Sequence, residues 1–209
     1  MTLTDAINTM MSLGEVPEDI GPKVAAALEK KFGSMIGRHL GGGSKGFAWM
    51  IGKDLVLKIT TDEQEAHAAS TLVGQHHPNV GYYKHVARIG NLDIYAIIQE
   101  YAGEPIKDFN IRKAIDKLPD RPEEIIATLK ELVETSSHPM WAQLLSGMQW
   151  IRDNGINFFD LHSDNVVQRG EIYKIIDVGV GNPETMHLAN INLERKLHLA
   201  LGNMELIPL

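Results

Sequence analysis

The feature that most constrains this chain is a pair of polar stations set in apolar sequence toward its far end. The first is Phe158-Phe-Asp160-Leu-His162-Ser-Asp-Asn165-Val-Val; the second is Tyr173-Lys-Ile-Ile-Asp177-Val-Gly179, whose aspartate lies twelve residues after Asn165. The flanks belong in an interior, whereas Asp160, Asn165 and Asp177 need water, a partner or a cation. A fold must therefore bring each station to the edge of a core. An aspartate and an asparagine five apart suit a structured loop in which a carboxylate accepts a proton and an amide oxygen binds a metal. Asp177 ends an apolar strand before a glycine that can turn the chain. Together Asn165 and Asp177 offer the hard oxygens that Mg2+ bridging nucleotide phosphates requires, with phosphates and waters completing its octahedron. His162 reads either as part of this chemistry or as a histidine bonded into structure.

Two upstream segments fit the same chemistry. Leu40-Gly41-Gly-Gly43-Ser44-Lys-Gly46-Phe-Ala contains G-x-G-x-x-G, which lets backbone amides approach phosphates without a side chain in the way. A glycine-rich surface turn has the same composition. Strand-like sequence on both sides favours a hairpin lid over the strand-to-helix turn of a dinucleotide site. Leu55-Val-Leu-Lys58-Ile59 then sets one lysine in an apolar strand, where its ammonium needs a carboxylate partner unless its head reaches water. Glu65 is the first candidate, with Glu63 and Glu100 behind it.

The rest of the chain organises around these segments. Residues 1–36 read as helical, with Thr4 capping a segment through Met11 and Pro22 in the first turn of a second helix that stops at Gly33. Strand-like runs follow at Phe47–Ile51, Leu55–Ile59, Tyr82–Ile89 and Ile94–Gln99, with a helix over Asp62–Val73 between the second and third. From residue 103 the pattern is mainly helical, at Ile125–Glu134 and Trp141–Ile151. Short strands at Val166-Val167 and Ile172–Ile176 precede a closing helix around Leu188–Leu201. The expected units are a helical segment 1–36, a small β-rich unit 37–102 and a mainly helical unit 103–209.

Composition narrows the possibilities. The 209 residues carry a net charge of −7 and no cysteine, which excludes disulfides, thiolate zinc sites and cysteine nucleophiles. With no global basic surface, nucleic acid is not the expected partner. No apolar stretch approaches the roughly 18 residues that span a bilayer, and no basic leader opens the sequence, so no membrane is expected and the cytoplasm is the default location. The histidines, His76-His77 included, lack metal-ligand spacing with a third partner. Nothing in the residues signals an oligomeric state.

In this order the stations resemble those of the protein-kinase-like superfamily. Leu40–Ala48 resembles its glycine-rich loop, Lys58 the third-strand lysine, Glu65 the helix glutamate, and His77-Pro-Asn-Val80 the loop after that helix. Ile98-Gln-Glu-Tyr-Ala-Gly103 resembles the hinge, with Gln99 at the gatekeeper position. The resemblance implies an α+β, two-lobe fold: a small antiparallel β-sheet lobe and a reduced, mainly helical lobe. It implies ATP bound by Gly41, Gly43, Ser44, Gly46 and Lys58, with the backbone of Glu100 and Ala102 at the adenine. Mg2+ would be held by Asn165 and Asp177, and Asp160 would orient the acceptor hydroxyl.

The departures matter too. Phe158-Phe159 replaces the usual His-Arg, so no arginine stands beside Asp160 to receive an activation-loop phosphate. Asp-Leu-His-x-x-Asn resembles the aminoglycoside and choline phosphotransferase branch. Only thirty residues follow Gly179, without an Ala-Pro-Glu motif, so the usual peptide-docking helices are not expected. The function this implies is transfer of the ATP γ-phosphoryl group to a protein or small-molecule hydroxyl, with Lys58, Glu65 and Asp160 as the catalytic set. The alternative is a catalytically inactive, pseudokinase-like module that binds a nucleotide or a protein.

Overall fold

The computed structural model describes residues 1–16, 18, 21–42, 45–89 and 93–179, together with the backbone of 206–208. The first half comprises α1 (Leu3–Ser12), α2 (Gly21–Phe32), β1 (Ile36–Gly42), β2 (Gly46–Ile51), β3 (Leu55–Thr60), α3 (Glu63–Thr71), β4 (Tyr83–Ile89) and β5 (Tyr95–Glu100). The second comprises β6 (Glu104–Pro105), α4 (Phe109–Ile115), α5 (Pro122–Thr135), α6 (Met140–Asp153), a 3-10 turn (Ser163–Asn165), β7 (Val166–Arg169), β8 (Ile172–Ile175) and β9 (Leu206–Pro208). This is a mixed α/β arrangement on an antiparallel sheet ordered β1-β2-β3-β5-β4-β9, with a smaller antiparallel sheet β6-β7-β8.

Register sorts the residues of the large sheet onto two faces, because paired residues point the same way and neighbours along a strand point oppositely. Phe47, Ile59 and Ala96 are aligned across β2, β3 and β5, as are Trp49, Leu57 and Ile98. This face is covered by α1 and α2, whose Leu3, Ile7, Met10, Val24 and Leu28 join Trp49 and Leu57 in one cluster. The indole N–H of Trp49 donates to the Met1 carbonyl at 3.1 Å, so the buried ring leaves no polar atom unpaired.

Lys58 belongs to the opposite face, aligned with Ala48 and Ile97. Toward β4 and β5 that side is covered by α3 through Ala66, Ala69 and Leu72, and the same cluster continues through Tyr83 and Ile97 to α5, α6 and β8. A polar tie crosses this core: the Asn79 amide donates to Gln143 Oε1 at 3.0 Å and to the Tyr173 carbonyl at 3.1 Å. Gly147 lets α6 come this close, since a Cβ there would stand 3.0 Å from the Asn79 carbonyl. Among the described residues, no helix is long and apolar enough to cross a membrane.

The structure corrects several local expectations. Thr2, not Thr4, caps α1, because Asp5 at the third helical position returns a bond to the Thr2 N–H and completes a capping box. β1 is an additional strand, held to β2 through an irregular register that its glycines permit. α4 is an additional helix, capped by Asp108. A strand, β9, pairs with β4 where no strand was expected. The closing helix expected around Leu188–Leu201 lies outside the described residues.

Candidate functional site

Lys58 is the centre of the site. Its Nζ lies 2.6 Å from Glu65 Oε1 and 3.0 Å from Asp177 Oδ2, with the lysine side chain only 15% exposed. Glu65 arrives there because the Asp62 carboxylate accepts its N–H at 3.1 Å and starts α3 at a fixed point, which puts Glu65 on the buried stripe with Ala68, Ala69 and Leu72. The other two carboxylate candidates are occupied elsewhere. Glu63 faces out and pairs with His67 at 3.4 Å. Glu100 pairs with Lys174 and accepts the Tyr82 N–H at 2.9 Å.

The electrostatics follow from the geometry. Burial opposes the charge of Lys58, but Asp177 and then Glu65 outweigh it, and its pKa stands above the ordinary lysine value. Burial is also the largest influence on Glu65 and pushes its carboxyl up; Lys58 pulls it down, and Asp177 pushes it up again. Two carboxylates share one ammonium, so the cluster carries one negative charge in excess when all three are ionised. That excess suits a cation.

Asp177 is the only non-glycine residue with positive φ among those described, at 53°. Few residues other than glycine adopt this backbone, aspartate and asparagine most readily, and its surroundings fix it. Here Lys58 holds the carboxylate, and the next peptide is held by Tyr83, whose hydroxyl accepts the Val178 N–H at 3.1 Å. Burial, aided by the Asp177 charge, pushes the Tyr83 phenol up, so it stays protonated at any ordinary pH.

The loop from Asp160 to Asn165 meets this cluster through the backbone. The Ile176 N–H donates to the Asn165 carbonyl at 2.9 Å, one residue before Asp177. The Asn165 amide nitrogen donates to the Asp160 carbonyl at 2.8 Å, and among the described residues no hydrogen bond reaches its Oδ1. His162 Nδ1 accepts the Asp164 N–H at 3.2 Å, which assigns the ring proton to Nε2, 3.5 Å from Asp160 Oδ2. His162 is thus bonded into the loop and lines the cleft beside it. The Asp160 side chain is 63% exposed at the edge of the cleft, its Oδ2 accepting from the cleft-lining Asn165 amide nitrogen at 3.4 Å.

The cleft encloses about 860 Å³ between the β1–β2 hairpin and the segment after β5. Gly41, Gly46, Lys58, Glu65, Glu100, Ala102, Asn165 and Asp177 all line it, so it collects every described site residue expected from the sequence except Asp160. Gly43 and Ser44 lie outside the described residues. Gly46 is required sterically, since a Cβ there would stand 2.6 Å from the Ile59 carbonyl. At the far wall, the Glu100 N–H donates to the Tyr82 carbonyl and the Tyr101 N–H to the Asp54 carbonyl. Ala102 is buried, yet no hydrogen bond to its N–H or carbonyl forms among the described residues. Buried peptide groups are rarely left so, and Ala102 lines the cleft. Gln99, buried and in register with Val56 and Tyr83, also lines the cleft.

Sequence reading missed Tyr83, which fixes the Asp177 peptide, and Lys174, which holds Glu100. No local pattern marks either, because the partners lie 95 and 74 positions away.

No family model matches the sequence, and no curated protein matches it. Among solved structures, the chain is similar to a MAP kinase of Leishmania major, LmaMPK10, with a TM-score of 0.43 and 14% sequence identity. The match covers 77% of this chain and 50% of that one, so the chain spans about half of that kinase's length.

Proposed function

We propose that the protein is an ATP- and Mg2+-dependent phosphotransferase with a protein-kinase-like, two-lobe build, acting on a hydroxyl of a protein or small-molecule acceptor. The observation that carries this reading is the meeting of Lys58, Glu65 and Asp177 with Asn165 at one cleft. Among the described residues, no group of three or more His, Asp or Glu could hold a metal by itself. A site for Mg2+ made of Asn165 Oδ1 and Asp177 is therefore incomplete without phosphate oxygens, as expected where metal and nucleotide enter together. The negative excess of the cluster and the open Asn165 Oδ1 both fit that cation.

Bound there, Mg2+ would neutralise charge on the transferring phosphoryl group. The protein's own groups do the rest. The Ala102 N–H and carbonyl match the donor and acceptor edge of adenine. Glycines of the β1–β2 hairpin line the cleft where phosphates would lie, and Lys58, kept at its station by Glu65, would supply a fixed positive charge to them. The Asp160 carboxylate accepts the acceptor's hydroxyl proton, its orientation held by the Asn165 amide nitrogen, which donates to Oδ2. Asp160, exposed at the edge of the cleft, is open to an acceptor arriving from solvent.

The competing reading, a non-catalytic nucleotide-holding module, draws on that same exposure of Asp160. Incubation with γ-labelled ATP, Mg2+ and a host lysate separates the two. Label transfer is expected from the wild type and should fall by about 10²–10⁴-fold in Asp160→Asn with nucleotide binding retained. Transfer that persists unchanged in Asp160→Asn and Asp177→Asn would overturn the site. Binding without any transfer would favour the module, and neither binding nor transfer would end the kinase reading.

A further inference from the structure

We propose that Asp116, at the end of α4, is a positioning residue for the Asp160–Asn165 loop and acts through Ser163. The role presupposes the phosphotransferase reading, but the contact itself does not. The Asp116 carboxylate accepts two hydrogen bonds from one residue: the Ser163 N–H at 2.7 Å and the Ser163 hydroxyl at 3.2 Å. Ser163 is 3% exposed, whereas Asp116 stands at the surface. The donor is thus a buried peptide group, and no other acceptor reaches it among the described residues.

The loop needs such a hold because it has little internal support. Its own backbone contributes His162 N–H to the Asp160 carbonyl at 3.1 Å and Asn165 N–H to the His162 carbonyl at 3.0 Å. A three-residue 3-10 turn is too short to be stable alone. Ser163 is the first residue of that turn and Asn165 the last. The point that Asp116 grips therefore lies between the candidate base, Asp160, and the candidate metal ligand, Asn165. A second contact comes from the same face of α4 one turn earlier, where Arg112 Nη2 donates to Asp164 Oδ1 at 2.7 Å. Opposite charges four residues apart on α4 thus hold two consecutive residues of the loop.

α4 is itself anchored well enough to transmit that hold. Asp108 caps it by accepting the Asn110 and Ile111 N–H groups at 2.8 and 3.2 Å. Ile115, next to Asp116, is fully buried in the larger core cluster. The contact orients the loop without touching nucleotide or acceptor, since Asp116 does not line the cleft.

The test uses the full chain with Asp116→Ala and Asp116→Asn, read by amide hydrogen exchange and by ADP affinity with and without Mn2+. Removing a charged acceptor from a buried N–H is expected to speed exchange at residues 163–165 by about tenfold or more in Asp116→Ala, with α6 unchanged. Asp116→Asn keeps one acceptor oxygen and should fall between that variant and wild type. If Asp116→Ala loses its cooperative melt, Asp116→Asn alone decides the matter by the same local exchange. Unchanged protection at 163–165, or equal acceleration in α6, would overturn the proposal. The Mn2+-dependent gain in ADP affinity is expected to drop about tenfold, with metal-free affinity within about twofold. An equal drop in both would show a general structural role and overturn positioning. A wild type that binds no nucleotide would defeat the phosphotransferase reading and with it the catalytic role of the hold, while the exchange data still report whether the contact itself orders the loop.

Discussion

Replacing Lys58 by methionine tests the ion cluster at its centre. Methionine keeps most of the side chain's volume between Ala48 and Ile97, so charge is the main thing lost. Removing one partner of a buried ion pair costs about 3–5 kcal/mol. Two features lower that figure here. The Asp177 side chain is 33% exposed and turns toward water, and Glu65 relieves its stranded charge by binding a proton. The expected loss is about 2–3 kcal/mol at pH 8, which for a chain of this size lowers Tm by roughly 4–12 °C. At pH 5.5 the loss should be smaller. The folded pKa of Glu65 already lies above its ordinary value and rises further without Lys58. A carboxyl raised in this way favours the folded state below its unfolded pKa and loses that contribution as pH rises through its folded one. Lys58, raised above an ordinary value that itself lies near 10.5, contributes equally at both pH values. The gap between wild type and variant therefore widens from pH 5.5 to 8. Thermal melts of wild type, Lys58→Met and Lys58→Met/Glu65→Gln at both pH values check this, and the double variant should recover most of the loss at pH 8. An equal loss at both pH values, or no recovery in the double variant, would refute the reasoning.

Tyr83→Phe removes the hydroxyl that receives the buried Val178 N–H and is expected to cost about 1–3 kcal/mol, seen as a lower urea midpoint at constant slope. Gly103→Ala puts a side chain on a residue with φ 150° and a Cβ 2.5 Å from the Gln168 carbonyl; a loss of about 1–3 kcal/mol is expected by the same measurement. Asp177→Asn should remove about tenfold or more of the Mg2+-dependent gain in ATP affinity while leaving metal-free affinity nearly unchanged, as titration calorimetry would show.

What was legible in the sequence follows the range of the forces involved. Strands β2, β3, β4 and β5 announce themselves through apolar and β-branched runs, and α3, α5 and α6 through helical spacing. Glu65 was readable over Glu63 because it shares a stripe with Ala68, Ala69 and Leu72, the side that α3 buries. β1 was not readable: Gly37, Gly41 and Gly42 erase its alternation, and pairing with β2 supplies what propensity lacks. Thr2 and Thr4 look alike as caps until the residue three further on is compared, Asp5 for one and Ile7 for the other. Lys58 and Asp177 stand out as candidates because each is a polar group in an apolar run, and Asn165 because it closes a polar loop against one. Tyr83, Lys174 and Asp116 do not, since each is an ordinary residue until the fold brings a distant partner to it.

The pairing of β9 with β4 has a consequence for the order in which the chain is made. Ala87, Arg88 and Ile89 face Pro208, Ile207 and Leu206, more than a hundred positions later. During synthesis the edge of β4 that pairs with β9 lacks that partner until residues 206–208 emerge. An unpaired strand edge is a template for pairing with other chains, and closure over so long a separation is slow. The interval before β9 docks is therefore when this protein is most prone to associate with copies of itself. Ribosome-bound chains stopped short of residue 206 should self-associate more readily than those carried past residue 208.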